Sequence, residues 1–539
     1  MDYKKLYFDL KNRVTQLNKI GLALSKEKNS SKLFEMILDE ATNISNAAGS
    51  TLYTVEDNYL HFNIIKNEPL NLWQGGLSGK NISLSPIPMY LERNKKNLKN
   101  VCSYSAITGK AVEIKDAYKI KKFDFSGMKK FDRSTGFRSE SSLTVPMKNH
   151  ENECIGVIQL FNARDEEGNI ITFSKEIRNE IESLASQGAI SLSNKRLISE
   201  LKNIFESFIR LIALAIDKKS AYTGGHCERV PKLTMMIAEA LENQTEGKFK
   251  DFKMTDEEKY ELKIAAWLHD CGKVATPVHV VDKSTKLETI FDRIELIKTR
   301  FQSLKDQKRI KFLENKIKLL EKKELKEIQI LEENYLKNIS EIESNLELIT
   351  KYNTGGEFMP LEIQDKIKEI GRKTWFQNGI EKPLLYADEL MNLLIPKGTL
   401  NLNEREEINK HIVITLEMLN NLPYPKHLKN VPEFAGGHHE KIDGMGYPKG
   451  LSGEEMSIQA KVMAIADIYE ALTAQDRPYK KGKKISESMR ILGFMKEDYH
   501  IDKDIFEIFV KEKIYKKYSD LYVAEDQHDD FNELDYINA

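Results

Sequence analysis

A long middle segment without glycine or proline constrains the fold of this chain more than any other feature. No glycine lies between Gly272 and Gly355, and no proline lies between Pro277 and Pro360. Apolar residues there recur at steps of three or four, the period of one helix face; they are Leu287, Ile290, Ile294, Ile297, Phe301 and Leu304, then Leu325, Ile328, Leu331, Tyr335, Ile339, Ile342, Leu346 and Ile349. Because the phase breaks between these runs, we predict two or more long helices folded into a hairpin.

The patterns on either side of this segment divide the 539 residues into several domains. Apolar β-branched runs such as Ser50–Val55, Leu60–Ile65, Ser142–Pro146 and Cys154–Leu160 indicate strands, mixed with helical segments. We therefore predict a multidomain chain with this order: an N-terminal helix at 1–30, an α/β domain at 31–172, a connecting helix at 173–212, an all-helical domain at 213–505 and a tail at 506–539.

The connecting helix carries a heptad-like apolar seam. Its residues step by seven, four, three, four and three along the chain: Ile190, Leu197, Leu201, Ile204, Phe208 and Leu211. Such a seam is typical of helices that pair as a coiled coil, so we predict a homodimer that forms through this helix. A helix packed on its own domain is the simpler alternative.

Composition excludes several classes of protein. Lys+Arg is 82 and Asp+Glu is 83, so the net charge of −1 provides no general field for a nucleic-acid polymer. Cys102, Cys154, Cys227 and Cys271 lie far apart, which predicts reduced thiols in the cytoplasm. The start, MDYKKLYFDL, lacks the apolar core of a signal peptide. Arg210 interrupts the longest apolar stretch, so we expect no membrane span.

Five histidines and two aspartates in the helical domain form the main candidate site: His226, His269, Asp270, His411, His438, His439 and Asp467. Each of these residues taken alone is more often an ordinary core or surface residue. Together they offer the imidazole and carboxylate ligands that divalent transition metals prefer. Asp270, next to His269, can bridge two ions through its two oxygens. Two ions about 3.5–4 Å apart are the usual arrangement for hydrolysing phosphate esters.

Three cations follow the candidate ligands in the sequence. Lys273 comes three residues after Asp270, and Arg477 and Lys480 follow Asp467. Cations beside a metal site can hold a phosphodiester and offset its developing charge. A surface position is the more common role for a lysine or arginine taken alone.

The motifs HDCGK, HHEKIDGMGYP and AIADIYEALTAQDRPYK resemble the HD-GYP family, a branch of the HD-domain metal phosphohydrolases. The resemblance covers 213–285 and 399–505, and it implies hydrolysis of the bacterial second messenger cyclic di-GMP. In that family the counterpart of His411 commonly follows the HD pair within a few tens of residues. The much longer separation here indicates that about 286–398 is a helical insertion.

The resemblance also implies roles for individual residues. His226, His269, Asp270 and Asp467 match the ligands of the first metal, and His411, His438 and His439 match those of the second, with Asp270 bridging. Lys273, Arg477 and Lys480 match phosphate contacts, and Gly444, Gly446, Tyr447 and Pro448 match the GYP loop that contacts substrate. The run at 221–225 has no carboxylate that would support a third metal, which favours two ions, of iron or manganese.

The predicted mechanism is attack on phosphorus by a hydroxide that bridges the two metals, with Asp270 and Lys273 as the catalytic residues. The product would be pGpG, and further cleavage to GMP is possible. Two alternatives stay open. One is hydrolysis of another cyclic dinucleotide, such as cyclic GMP-AMP. The other is a catalytically silent module that binds messenger or a partner, for example a diguanylate cyclase of the GGDEF type.

The N-terminal domain resembles a GAF domain, which implies an antiparallel sheet flanked by helices and a sensor role. The stretches SLTVPMKN and CIGVIQLFNA carry this resemblance. Asp116–Tyr118, Phe131–Asp132 and Thr135–Arg138 are similar to segments of the cyclic-nucleotide-binding subset. The GAF ligand stays open between a nucleotide, another small molecule and a purely structural role.

Overall fold

The computed structural model describes residues 15, 18–27, 29–219, 225–355, 358–475, 482–533 and 536. The chain divides into two compact units, Met1–Phe205 and Glu206–Ala539. Among the described residues, no helix combines the length and apolar character needed to cross a bilayer.

The N-terminal unit is an antiparallel sheet with helices on its faces. A helical stretch at 18–26 precedes the named elements. These are α1 (Ser30–Ser45), β1 (Ala47–Glu56), β2 (Tyr59–Asn67), β3 (Leu72–Gly75), β4 (Ile87–Pro88), β5 (Tyr90–Leu91), β6 (Lys95–Lys96), α2 (Val101–Thr108), β7 (Val112–Ile114), α3 (Ser126–Thr135), β8 (Ser142–Lys148), β9 (Cys154–Arg164) and β10 (Ile170–Ile171). The strand order is β3-β2-β1-β9-β8-β7, with β4 paired to β2 and β10 to β9.

The sheet has an apolar core on each face because successive side chains of a strand point to opposite sides. Leu52 of β1 and Ile158 of β9 pack with Ile37 of α1 in one core. Their neighbours Tyr53 and Val157 belong to the second core, on the opposite face. This two-sided burial confirms the predicted α/β class of the N-terminal unit.

Helix α4 (Lys175–Lys219) lies where the sequence predicts the connecting helix, and its residues belong to both units. Its first half buries Ile181 and Leu184 in the N-terminal core. Its last turns bury Ile209, Ala213 and Ile216, which recur at helical spacing.

The C-terminal unit is mostly helical, as predicted. Its helices are α5 (His226–Glu242), α6 (Asp256–Leu268), α7 (Val278–Val281), α8 (Ile294–Glu321), α9 (Leu325–Asn353), α10 (Leu361–Gly371), α11 (Ala387–Leu393), α12 (Leu402–Asn420), α13 (Val431–Gly436), α14 (Ile458–Thr473), α15 (Ile485–Glu497), α16 (Lys503–Lys511) and α17 (Ile514–Tyr522). Two of the helices that lead to the site begin at capping boxes, α6 at Thr255 with Glu258 and α12 at Asn401 with Glu404. Each box satisfies amides at the helix start and fixes where the helix begins.

The segment predicted as an insertion has a core of its own. Helices α8 and α9 form the expected hairpin, and their buried residues, such as Phe301 and Ile349, pack with Leu384 and Leu393 from its second half. The segment is not wholly helical, since β11 (Thr374–Gln377) pairs with β12 (Ile380–Pro383). Its two ends meet, because Thr399 Oγ1 donates a hydrogen bond to the Lys283 carbonyl at 3.0 Å.

The segment predicted as a C-terminal tail, 506–539, contains helical residues. Helices α16 and α17 bury Phe506, Phe509, Tyr515 and Tyr518. The Tyr469 hydroxyl shares a hydrogen bond of 2.8 Å with Ser519. These aromatic side chains give both helices an apolar face, so the described part of this segment up to Tyr522 packs with the helical unit.

Candidate metal centre

Two groups of histidine and aspartate side chains lie side by side in the helical unit. The first contains His226, His269 and Asp467; the second contains Asp270, His411, His438 and His439. Within each group, one potential ligand atom per residue lies within 4.8 Å of the others. The structure thus brings together all seven residues that the sequence proposes as metal ligands.

Asp270 lies between the two groups, and its two oxygens face different histidines. Oδ2 is 3.3 Å from His226 Nε2 and 3.4 Å from His269 Nε2, both in the first group. Oδ1 is 3.3 Å from His411 Nε2 in the second group. A carboxylate in this position has the geometry to bridge two ions.

Asp467 completes the first group from the apolar helix α14. Its Oδ1 is 3.3 Å from His226 Nε2 and 3.7 Å from His269 Nε2. In the second group, His439 Nε2 is 3.2 Å from His411 Nε2. Two ring nitrogens this close suit a shared cation.

Backbone carbonyls orient three of the histidines. The Nδ1 atoms of His269, His411 and His438 each contact the carbonyl three residues earlier, at Ala266, Ile408 and Ala435. With Nδ1 donating to a carbonyl, Nε2 carries the lone pair and points away from the backbone. This is the usual arrangement for a metal-ligating histidine.

The buried polar atoms at the centre fit a pair of cations. His226 Nε2, His269 Nε2, His438 Nε2 and Asp270 Oδ1 are buried and have no hydrogen-bond partner among the described residues. Unpaired buried polar atoms cost free energy, and a bound cation would satisfy them. Imidazoles and carboxylates are suited to divalent transition metals, and neither group contains a cysteine among the residues described.

The electrostatics also favour bound cations. Burial alone would raise the pKa of Asp270, but the charges of Lys273 and His269 outweigh it and hold that pKa well below its usual range. Burial likewise acts to raise the pKa of Asp467, but His226 and His269 hold it low. Both carboxylates are therefore anionic at neutral pH.

The pKa values of the imidazoles shift in opposite directions in the two groups. Burial lowers the pKa of His439 to about 4, and burial with the adjacent His439 holds the pKa of His438 well below its ordinary value. These two rings are neutral and able to act as ligands. Burial also acts to lower the pKa of His226, but Glu470 and the carboxylates of Asp270 and Asp467 outweigh it and raise that pKa. The same carboxylates favour a metal ion at Nε2.

The HD turn, Cys271–Val274, packs directly against helix α12. A Cβ on Gly272 would lie 1.9 Å from the His411 carbonyl oxygen, so only glycine permits this approach. The Gly272 amide also donates to Thr415 Oγ1 at 2.8 Å. This contact brings Asp270 and His411 together despite the insertion between them.

The GYP loop folds back onto the HHE segment. A Cβ on Gly446 would lie 2.4 Å from the Lys441 amide, so this position also requires glycine. The Tyr447 ring stacks on His439 with 4.9 Å between ring centroids, and the Tyr447–Pro448 peptide is cis. Gly444 has a positive φ of 76° at the turn of the same loop. Tyr447 therefore lies beside the second group.

Of the three predicted phosphate contacts, Lys273 lies among the described residues, and it is next to the two His/Asp groups. Its ammonium contacts Asp270 Oδ2. Burial acts to lower the pKa of Lys273, but Asp270 and Asp467 outweigh it and raise that pKa. Arg477 and Lys480, the other predicted phosphate contacts, lie outside the described residues, as do positions 221–224.

Sequence reasoning missed two carboxylates that support the centre. Glu470 is buried and contacts His226 Nδ1, and its other oxygen accepts from Arg229 Nε at 2.7 Å. Glu470 lies one helical turn after Asp467 on an apolar helix, the same signal that singled out Asp467. Glu440, beside His439, accepts the amides of Lys449 at 2.7 Å and Leu451 at 2.9 Å and so holds the GYP loop.

Comparisons with known proteins agree with this arrangement. Two HD-domain family models match the chain, one over residues 223–343 and one over 385–505. The 3'3'-cGAMP-specific phosphodiesterase 1 of Vibrio cholerae is 38% identical over 95 residues, which cover 18% of this chain and 21% of the relative. A cyclic di-GMP phosphodiesterase of Pseudomonas aeruginosa is 46% identical over 74 residues, 14% of this chain and 17% of the relative. The chain thus spans about a fifth of the length of these curated relatives.

The N-terminal unit resembles solved GAF structures. One is the GAF domain of an Acinetobacter phosphoenolpyruvate-protein phosphotransferase, at 11% identity and a TM-score of 0.26, covering 35% of this chain and 97% of that chain.

The C-terminal unit is similar to HD domains over residues 223–343 and 385–505, and its paired His/Asp groups offer donors that could hold metal ions. The family models therefore place both matches in the unit that contains the two His/Asp groups, while the finer assignment to the HD-GYP branch stays a prediction from the sequence.

Proposed function

We propose that this protein is a metal-dependent phosphodiesterase that hydrolyses cyclic di-GMP to pGpG. The observation that carries the proposal is the position of Asp270, whose two oxygens face the two histidine groups. Two adjacent ions are the usual device for hydrolysing a phosphodiester. The similarity to a cyclic di-GMP phosphodiesterase over part of the HD domain supports the substrate.

The side chains around the centre have separate roles in this proposal. His226, His269 and Asp467 would hold one ion, His411, His438 and His439 would hold the other, and Asp270 would contribute to both. Bound there, two divalent ions lower the pKa of a shared water and offset charge on the phosphate. The imidazole and carboxylate donors suit iron or manganese.

Lys273 and Tyr447 are placed to act on the substrate. The Lys273 ammonium, next to Asp270, offers a positive charge to a phosphate oxygen. Burial raises the pKa of Tyr447 to about 12, so its hydroxyl stays protonated and can donate a hydrogen bond. Gly444, Gly446 and Pro448 shape the loop that presents this tyrosine, and Arg477 and Lys480 keep their predicted role as phosphate contacts.

Cyclic GMP-AMP is the second candidate substrate. A relative that is 38% identical over 95 residues is named as a 3'3'-cGAMP-specific phosphodiesterase. Both cyclic dinucleotides contain the same phosphodiester linkages and differ in one base. The metal centre treats these linkages alike, so base contacts decide between the two substrates.

The test is metal analysis and product chromatography on full-length protein purified without oxygen. We expect two ions per chain and conversion of cyclic di-GMP to pGpG. The Asp270→Asn variant keeps the shape of the side chain but loses the bridging charge, so turnover should disappear. The exposed Asp251→Asn is the matched control and should behave as the native protein.

The outcomes of this test are distinct. Normal turnover by Asp270→Asn would refute the assignment of the centre. Faster cleavage of cyclic GMP-AMP than of cyclic di-GMP would favour the second candidate. Binding of either nucleotide without cleavage, in protein with both ions present, would indicate a silent signalling module.

We also propose that two copies pair through helix α4. The six residues of its apolar seam are all exposed in the single chain: Ile190, Leu197, Leu201, Ile204, Phe208 and Leu211. A contiguous exposed apolar surface of this kind is typical of an interaction site. The heptad-like spacing fits a second copy of the same helix. A diguanylate cyclase partner stays a prediction from the sequence.

Sedimentation of full-length protein tests this pairing. Leu201→Glu introduces a charge into the seam and should convert a dimer into a monomer. Ser199→Glu, at an exposed position of the same helix outside the seam, should leave the dimer intact. A native protein that sediments as a monomer at micromolar concentration would contradict the proposal.

A further inference from the structure

The last turn of helix α4 contacts the segment that contains His226 and the segment that follows Asp270. Helix α4 ends at Lys219, before the start of α5 with His226. The same turn also reaches the HD turn, which follows Asp270. The contacts of Lys219 with the HD turn join residues 54 to 57 positions apart, so local sequence does not dictate them.

Asp217 acts as the cap of helix α5. The residue at the cap position is Gly225, which has no side chain to accept the first amides. The buried Asp217 supplies that acceptor: its carboxylate accepts the Gly225 amide at 3.0 Å and the Cys227 amide at 3.4 Å. A carboxylate at a helix start satisfies exposed amides and complements the helix dipole. His226 lies between these two amides, so its position depends on Asp217.

Lys219 holds the other segment. Its ammonium donates to the carbonyls of Lys273 at 3.0 Å and Thr276 at 2.7 Å, and it also contacts the Val274 carbonyl. An ammonium has three N–H donors, so these three carbonyls can use them all. The HD turn that positions Asp270 and Lys273 is therefore fastened to the end of α4.

The turns of α4 that lead to Asp217 and Lys219 have one buried face. Ile209, Ala213 and Ile216 bury one face of α4 within the helical unit. The opposite face keeps Phe208 and Leu211 exposed. The end of α4 is therefore held by packing on one side, while its other side is the seam proposed to pair.

We propose that Asp217 and Lys219 form a clamp that positions the metal ligands His226 and Asp270 relative to each other. The clamp acts through backbone contacts, so both are positioning residues and touch neither ion nor substrate. A displacement of the end of α4 would shift both ligand segments at once, which gives a change in the connecting helix a direct path to the centre. This proposal rests on the metal centre of the proposed function and not on its phosphodiesterase activity.

The test compares Lys219→Met with Lys218→Met in full-length protein. Methionine keeps an unbranched stem and removes the ammonium, and Lys218 is the exposed neighbour that lies outside the clamp. We expect Lys219→Met to weaken Mn²⁺ affinity by about 10-fold or more, as loss of a group that orients metal ligands commonly does. Amide hydrogen exchange should become faster at residues 271–276. Lys219→Arg, which keeps the charge and donors, should restore much of the affinity.

Asp217→Asn tests the other half of the clamp. It should weaken Mn²⁺ affinity and speed amide exchange at the start of α5, and it provides a second reading if Lys219→Met does not fold. A purely structural role would lower the melting temperature and leave Mn²⁺ affinity at the level of Lys218→Met; that result, or unchanged exchange in both variants, would overturn the proposal. Neither readout uses a cyclic dinucleotide, so a failure of the proposed activity remains separate from a failure of the clamp.

Discussion

The residues at the centre have two kinds of role: some are proposed metal ligands, and others orient those ligands. His226 shows the difference. Its Nε2 faces Asp270 and Asp467, and its Nδ1 contacts Glu470, which Arg229 holds in turn. Burial acts to raise the pKa of Glu470, but the charges of His226 and Arg229 lower it to about 2. Glu470 therefore stays ionised and fixes the orientation of the ring.

Glu470→Gln should weaken metal binding in the first group. Glutamine keeps the shape but removes the charge that supports the imidazole, and loss of such a partner commonly costs about 10-fold or more in metal affinity. Titration of metal-free protein with Mn²⁺ measures the effect. Glu228→Gln, at an exposed position of α5, is the control. Equal affinities in the two variants would show that Glu470 has no orienting role.

Among the elements around the site, the GYP loop depends most on a single buried side chain. Glu440 is 1% exposed, and its two oxygens accept the amides of Lys449 and Leu451. These bonds close the loop around Gly446 and place Tyr447 against His439. Hydrogen bonds to a charged acceptor are stronger than neutral ones, so the carboxylate gives the loop its shape.

Glu440→Gln should raise KM for the cyclic dinucleotide more than it lowers kcat. A glutamine can accept only one of the two amides through its carbonyl, so the loop that presents Tyr447 loosens while the ions stay bound. Steady-state kinetics with metal analysis separates these effects. Glu454→Gln, an exposed position in the segment that follows the loop, should change neither constant. Loss of bound metal in Glu440→Gln would instead place Glu440 in support of His439.

At the scale of the whole molecule, we expect that the predicted insertion, about 286–398, can be removed without unfolding the helical domain that contains it. Its core runs from Leu287 to Leu393. Lys283 and Thr399, on either side of it, are joined by a hydrogen bond of 3.0 Å. Lys283 also pairs with Glu404 on helix α12 at 2.7 Å, a contact outside the insertion. The two ends of the predicted insertion therefore lie next to each other, at Lys283 and Thr399.

Replacing residues 284–398 by a short Gly/Ser linker should leave the metal centre intact. The linker has little distance to span, so the entropy cost of closing it is small. We expect unchanged metal stoichiometry and retained phosphodiesterase turnover, measured beside the full-length protein. A shortened protein that folds but binds no metal would show that the insertion supports the centre.

Much of the architecture could be predicted from the sequence, because helix and strand periods are local properties. The absence of glycine and proline between Pro277 and Gly355 indicated the long helices, and the order of the α/β and helical units followed from the patterns. The helices Lys503–Lys511 and Ile514–Tyr522 overlap the segment that the sequence predicts as a tail, 506–539. Their burial depends on contacts with distant helices, which a local pattern does not report.

The sequence by itself determined the donors: five imidazoles and two carboxylates in helical segments, with a lysine beside the HD pair. Only the tertiary structure decided how they meet. It placed the two oxygens of Asp270 toward different groups, put Glu470 behind His226, and set Asp217 and Lys219 against both ligand segments. The physical reason is that donor chemistry belongs to the side chain, whereas distances between donors depend on how helices far apart in the chain pack against one another.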